Sequence, residues 1–398
     1  MTQDVTERAE AEAALREAET QYRTLVERAP TVDSIFTPGY SPGGQHTPRP
    51  WMTPMPAPRR NPVWKVIALR VLLCGVTLCV VTTPAAAQCE PDGDVGFVCG
   101  PISPEDLALV PDQPWVIVAS WEDDGYLSAA HVDDHRTPRV YPIDGASARH
   151  DRDTYRDCPG VSTERFHAHG ISLRPGDDGR HTLYVVRHGA REAIEVFEVS
   201  TGSGPPELTW IGCAVAPEGL GLNAVVGLPG GGFAATSPRT GDIWEWTSAA
   251  GWSQVPGSED IGPNGIEVTT DGRWFLVAGY GAQSVIRLSR GRTPVETSAV
   301  EVGFNVDNVH WAPDGTLLAA GHTSPTGSRV GECIAGTTCE GIVSYVARVD
   351  TDAMTQQQIF RYDTNEHLRL GTTAIEVGKE LWVGQVAGGT RVARVPLP

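Results

Sequence analysis

Six residues stand at the first position of a short recurring unit: Glu105, His169, Asn223, Asn264, Asp307 and Thr373, with Asp106 and Asn308 one residue further on. Glu105, Asn223, Asn264, Asp307 and Asn308 offer carboxylate and amide oxygens. An oxygen-only set with two carboxylates suits a hard cation such as calcium, which takes roughly 6–8 oxygens. Zinc more often recruits imidazole or thiolate. Any single Asn or Asp serves equally well to begin a turn or cap a strand, but independent loops are not expected to place five such donors at one equivalent point. His169 adds a group that exchanges a proton near neutral pH.

The unit that positions them occurs six times, as EDLALVPDQPWVIVAS (105–120), HGISLRPGDDGRHTLYVVRH (169–188), NAVVGLPGGGFAATS (223–237), NGIEVTTDGRWFLVAG (264–279), DNVHWAPDGTLLAAG (307–321) and TAIEVGKELWVGQV (373–386). Each copy has a β-prone alternating stretch, usually a turn rich in Asp, Gly or Pro, and a second apolar strand, which is the pattern of a hairpin. The copies start 41 to 66 residues apart, leaving room for two more strands each. The expected fold is all-β, a six-bladed β-propeller with four-stranded blades. A sandwich would not repeat one hairpin six times, and a β-helix has a shorter period. In a propeller the innermost strands line a central channel, so the first residue of every copy faces one end of it.

The chain has 398 residues and a formal charge of −18. A basic face for a phosphate backbone is missing, so no nucleic-acid partner is expected. The acid surplus lies in residues 88–398, where Lys379 is the single lysine. Residues 1–51 read as a helical fragment, in which AALREAETQYRTLVERAP resembles the opening helix of a PAS sensor domain, followed by a Pro/Gly/Ser/Thr linker. Residues 52–87 read as a secretory signal peptide: Arg59, Arg60, Lys65 and Arg70, an apolar run from Val71 to Val81, then Ala85-Ala86-Ala87. The run is short for a bilayer span, so no stable membrane anchor is expected after cleavage, and Met52 or Met55 is the expected start. Residues 88–398 form the propeller, secreted or periplasmic. Its six cysteines allow 15 connectivities. Cys333–Cys339, Cys158–Cys213 and Cys89–Cys99 are the working assignment, and no C-x-x-C pair suggests zinc or redox chemistry.

PEDLALV near Glu105, FHAHGIS around His169, LYVVRHG at His188, IEVFEV, LNAVVGL at Asn223, NGIEVTTDG at Asn264 and VDNVHWAPDG at Asp307 occur in an order and spacing that resemble the calcium-dependent six-bladed propeller hydrolases. This is the serum paraoxonase/arylesterase-like family, related to the gluconolactonase/regucalcin group. The resemblance implies a catalytic calcium on Glu105, Asn223, Asn264, Asp307 and Asn308. It implies His169 as the base that activates water, with His188 behind it, and a small-molecule lactone or aryl ester as substrate. In the gluconolactonase-like group a carboxylate is the favoured base, which moves that role to Asp307. The family's second, structural calcium uses the residue after the first channel Asn; here that residue is Ala224, and only Asp106 is retained. The family's cysteine at the position of Cys99 pairs near the C-terminus, whereas this chain ends VARVPLP, leaving Cys89 as the substitute partner.

His167 is read as structural or rim-lining, and His131, His135, His150, His181, His310, His322 and His367 as surface or packing residues. GLPGGGF (227–233) reads as a hairpin turn, and the absence of G-x-S-x-G speaks against a serine esterase. A non-enzymatic calcium-binding propeller, with the channel mouth as an interaction surface, is the alternative, because propellers host both roles. A PAS-linked signalling protein is a third reading, resting on residues 1–30.

Overall fold

The computed structural model describes residues 89–176 and 179–397. The PAS-like fragment, the linker and the signal sequence lie outside the described residues. Each of the six sequence units is a β-hairpin. The turn of the fourth illustrates why. Gly272 takes φ +71°, its N–H donates to the Thr269 carbonyl at 2.8 Å, and Asp271 Oδ1 accepts from the Arg273 N–H at 3.0 Å. Gly tolerates that dihedral and Asp bonds its own backbone two residues on.

The chain opens with β1 (Gly96–Cys99). Blade one is β2 (Pro104–Leu109), β3 (Trp115–Ser120), β4 (Leu127–His131) and β5 (Arg139–Tyr141). The two-residue β6 (Ser147–Ala148) precedes blade two, β7 (Phe166–Arg174), β8 (Arg180–Gly189), β9 (Ala193–Ser200) and β10 (Glu207–Val215). Blade three is β11 (Val225–Gly227), β12 (Phe233–Ser237), β13 (Asp242–Thr247) and β14 (Gly251–Gln254). Blade four is β15 (Pro263–Val268), β16 (Trp274–Gly279), β17 (Ser284–Ser289) and β18 (Thr297–Glu301). Blade five is β19 (Asn305–Trp311), β20 (Leu317–Thr323), β21 (Val343–Asp350) and β22 (Thr355–Asp363), with helix α1 (Gly327–Ile334) between its second and third strands. Blade six is β23 (Gly371–Val377), β24 (Glu380–Gln385), β25 (Arg391–Pro396) and β1.

The expected six-bladed propeller is therefore the fold. The innermost strands touch in ring order, β2, β7, β11, β15, β19, β23 and back to β2. Blade two departs from four strands, because β6 adds in parallel to the outer edge of β10. Strands next to the innermost ones are buried on both faces: WVIVAS of β3 is wholly buried, because neighbouring blades sandwich it. One apolar cluster joins Ile171 and Tyr184 of blade two to Phe233 and Ala235 of blade three. The ring closes by strand pairing, β1 lying antiparallel on β25 with Gly96 opposite Arg394 and Cys99 opposite Arg391. The six cysteines pair as Cys89–Cys99, Cys158–Cys213 and Cys333–Cys339, with Cα separations of 5.9, 5.3 and 4.4 Å. Among the described residues no helix is long and apolar enough to cross a membrane.

Candidate functional site

The innermost ladders break where the candidate residues stand. Register shifts fall between Pro104 and Asp106 in β2, Ala168 and Ile171 in β7, Pro263 and Ile266 in β15, Val306 and Val309 in β19, and Gly371 and Ala374 in β23. Glu105, His169, Asn264, Asp307, Asn308 and Thr373 lie inside these bulges. A bulge frees a residue from the ladder and re-aims its side chain, so five strands turn these groups off the regular pleat. In blade three β11 begins only at Val225, and Asn223 sits just ahead of it.

The bulges bring the donors together. Glu105, Asn264, Asp307 and Asn308 are all nearly or fully buried, at 2%, 6%, 9% and 3% exposure. Asn308 Nδ2 donates to Glu105 Oε1 at 2.6 Å, linking blades five and one, and Asn264 hydrogen-bonds the Asp307 side chain. Asn223 is tied to blade two beside His169 through its carbonyl, which accepts the Gly170 N–H at 3.2 Å. Glu105 Oε2, Asn223 Oδ1 and Asn264 Oδ1 are buried without a hydrogen-bond partner. Burial, then the charges of Asp106 and Asp307, hold the Glu105 carboxyl well above the usual range. Burial and Asp106 push Asp307 up to about 8. Among the described residues no three His, Cys, Asp or Glu side chains gather as a metal-ligand group; the donors here are two carboxylates and three amides.

His169 enters the same space. Its Nε2 lies 3.8 Å from Glu105 Oε1, and its Nδ1 lies 2.8 Å from His188 Nε2. Burial, reinforced by His188 and His167, holds the His169 imidazole well below its ordinary pKa, so it is neutral at neutral pH. His188 Nδ1 contacts Glu192 Oε2 at 2.7 Å. Glu192 was invisible in the sequence because it sits in the loop after β8, outside the repeated hairpin. His167 is buried, its ring 5.2 Å from Trp121 and 5.3 Å from His188.

Next to Glu105, Asp106 meets four donors. Its Oδ1 accepts from the Leu107 N–H at 2.9 Å, Thr373 Oγ1 at 2.9 Å and His310 Nε2 at 2.7 Å, and its Oδ2 from the Ile171 N–H at 2.8 Å. His310 Nδ1 reaches Glu267 Oε1 at 3.5 Å. Burial alone would lower the His310 pKa, but Asp106 and Glu267 outweigh it and raise it to about 10. Read from sequence as a surface or packing residue, His310 packs half-buried between Asp106 and Glu267 and joins blades one, four and five. Around Asp106, the position where the second ion would need a further side-chain oxygen is Ala224, which has none.

No protein-family model matches the chain, and no curated protein matches it. Among solved structures it is similar to a gluconolactonase from Xanthomonas campestris, with 14% identity and a TM-score of 0.48 over 76% of this chain and 89% of that one. It is similar to regucalcin, a calcium-binding protein from Agrobacterium tumefaciens, with 14% identity and a TM-score of 0.47 over 76% and 93% of the two chains. A catalytically inactive virginiamycin B lyase from Staphylococcus aureus, with quinupristin, gives 10% identity and a TM-score of 0.45 over 76% and 99%. Likenesses this distant do not bear on activity.

Proposed function

We propose that the chain is an exported, calcium-dependent hydrolase of lactones or carboxylic (aryl) esters. The observation that carries this reading is the trio of unpartnered buried oxygens, Glu105 Oε2, Asn223 Oδ1 and Asn264 Oδ1, beside a neutral His169. An unsatisfied buried polar atom costs about 1–3 kcal/mol, and a hard cation satisfies three oxygens at once. It would also relieve the repulsion between Glu105 and Asp307. The donor set fits one calcium, with Asp307 and Asn308 completing the protein ligands and substrate or water the remainder.

When bound, the ion supplies a positive charge that polarises a carbonyl oxygen and stabilises the negative charge developing there. The protein's own residues handle the proton. His169 Nε2 accepts it from a water whose oxygen bonds the carbonyl carbon. As the ester C–O bond breaks, His169 returns the proton to the leaving oxygen. His188 holds the ring in place. Asp307 is the rival base, the carboxylate that the gluconolactonase-like resemblance favours for that role. Export is proposed from the signal pattern at 52–87 and from three disulfides, which persist in oxidising compartments.

A panel of lactones and aryl esters tests the reading. Turnover is expected to vanish with a chelator and return with calcium, with one ion bound per chain. His169→Gln should keep calcium and lose about 10²-fold or more in kcat. Full turnover in His169→Gln would transfer the base role to Asp307. Calcium binding without chelator-sensitive turnover would leave a binding module.

A further inference from the structure

The loop after β8 carries a carboxylate with two different clients. Glu192 Oε2 lies 2.7 Å from His188 Nδ1, and Glu192 Oε1 accepts the Leu222 N–H at 2.7 Å. Leu222 immediately precedes Asn223. An ionised carboxylate only accepts hydrogen bonds, so His188 Nδ1 carries a proton. With that proton as the ring's one proton, His188 Nε2 is an acceptor and its partner 2.8 Å away, His169 Nδ1, is the donor. That leaves the lone pair of a neutral His169 on Nε2, the nitrogen facing Glu105.

We propose that Glu192 is a positioning residue that fixes the tautomers of two imidazoles in series, so that the His169 Nε2 lone pair faces the channel. Through Leu222 the same carboxylate ties this order to the segment holding Asn223. The kinetic consequence rests on the hydrolase reading; the proton order does not.

Glutamine at this position has nearly the same shape but one oxygen and one NH2. Two donors, Leu222 N–H and His188 Nδ1–H, face it and only one can be accepted. If the amide oxygen keeps Leu222, the NH2 turns to His188 Nδ1, which becomes the acceptor. His188 Nε2 then donates to His169 Nδ1, and the proton of His169 moves to Nε2, where a base needs its lone pair.

The test is side-chain 15N NMR of the histidines in the full chain at neutral pH, with calcium, alongside kinetics. In the wild type, His169 and His188 are expected as Nδ1–H tautomers; in Glu192→Gln, His169 is expected as Nε2–H. On a hydrolysed lactone, kcat should fall about 10²-fold with KM within about twofold and calcium still bound. Glu192→Gln with both rings still Nδ1–H overturns the proposal. Should that variant not fold, a wild-type His188 protonated on Nε2 overturns it alone. A tautomer switch in a chain that hydrolyses nothing supports Glu192 and overturns only the hydrolase reading.

Discussion

A buried imidazole takes its charge from what faces it, and this ring contains both outcomes. His310 sits between Asp106 and Glu267 and is held protonated. His322 is more deeply buried and meets neutral groups. Its Nδ1 donates to the Gly371 carbonyl at 3.0 Å, and its Nε2 accepts from the Tyr280 hydroxyl at 2.7 Å. Burial lowers its pKa to about 4, the Gly371 carbonyl working against that shift. Because the folded value lies below the unfolded one of about 6.5, the unfolded chain takes up the proton first. The stabilisation is complete above pH 6.5 and is lost as pH falls towards 4, on the order of 3 kcal/mol from this residue. Burial also lowers the His167 pKa, to about 3, and this adds to the same limb. Urea unfolding of wild type and His322→Gln at pH 7 and pH 4.5 measures it. The variant should lose less stability between the two pH values, and an identical loss in both would refute the assignment. The oxygen donors were legible in the sequence because the repeat puts them at one phase. Glu192 and His310 were not: Glu192 lies in the loop after β8, outside the repeated hairpin, and the partners of His310 lie in other blades.

The bulge is the element that makes the site. The hairpin repeat could be read from residue types, whereas a bulge is a property of pairing and appears only when both strands are known. Bulged innermost strands also approach one another closely. A Cβ on Gly265, between β15 and β19, would lie 2.6 Å from Asn308 Cα and 2.7 Å from the Asp307 carbonyl oxygen. Both obstacles are backbone and cannot swing aside. Gly265→Ala is expected to cost about 1–3 kcal/mol by overpacking. By displacing Asp307 and Asn308 together it should also weaken calcium binding by more than about tenfold, equivalent to ~1.4 kcal/mol. Denaturant melts and calcium titration check the two effects separately. Unaltered calcium affinity would show that the β15–β19 contact does not set the donor geometry.

Across the whole molecule, the repeat count, the ring and the short Cys333–Cys339 loop were legible, whereas the other two cysteine pairs were a choice among many and needed the structure. Six hairpins at blade spacing leave few architectures, and the Cys333–Cys339 loop is short. Ring closure was not. With no C-terminal cysteine to pair with Cys99, the sequence showed a lost staple and not the strand pairing that takes its place. β1 completes blade six and buries Phe97 and Val98 at 4% and 0% exposure, and Cys89–Cys99 pins its end. Deleting residues 89–99 should remove about 3–6 kcal/mol through those two side chains alone and expose the edge of β25 to association. Thermal melts and size-exclusion chromatography would register both; an unchanged melting temperature would mean that five complete blades and a three-stranded sixth suffice.

That closure also sets a timetable. Gly96 is synthesised about 300 residues before Arg394, its partner, so at roughly 5–20 residues per second it waits on the order of 15–60 s for β25 to exist. Of the described strands, the first made is the last to be completed. Throughout that interval Phe97 and Val98 have no finished blade to enter, so a factor that guards this protein during synthesis has one obvious place to hold it, at β1.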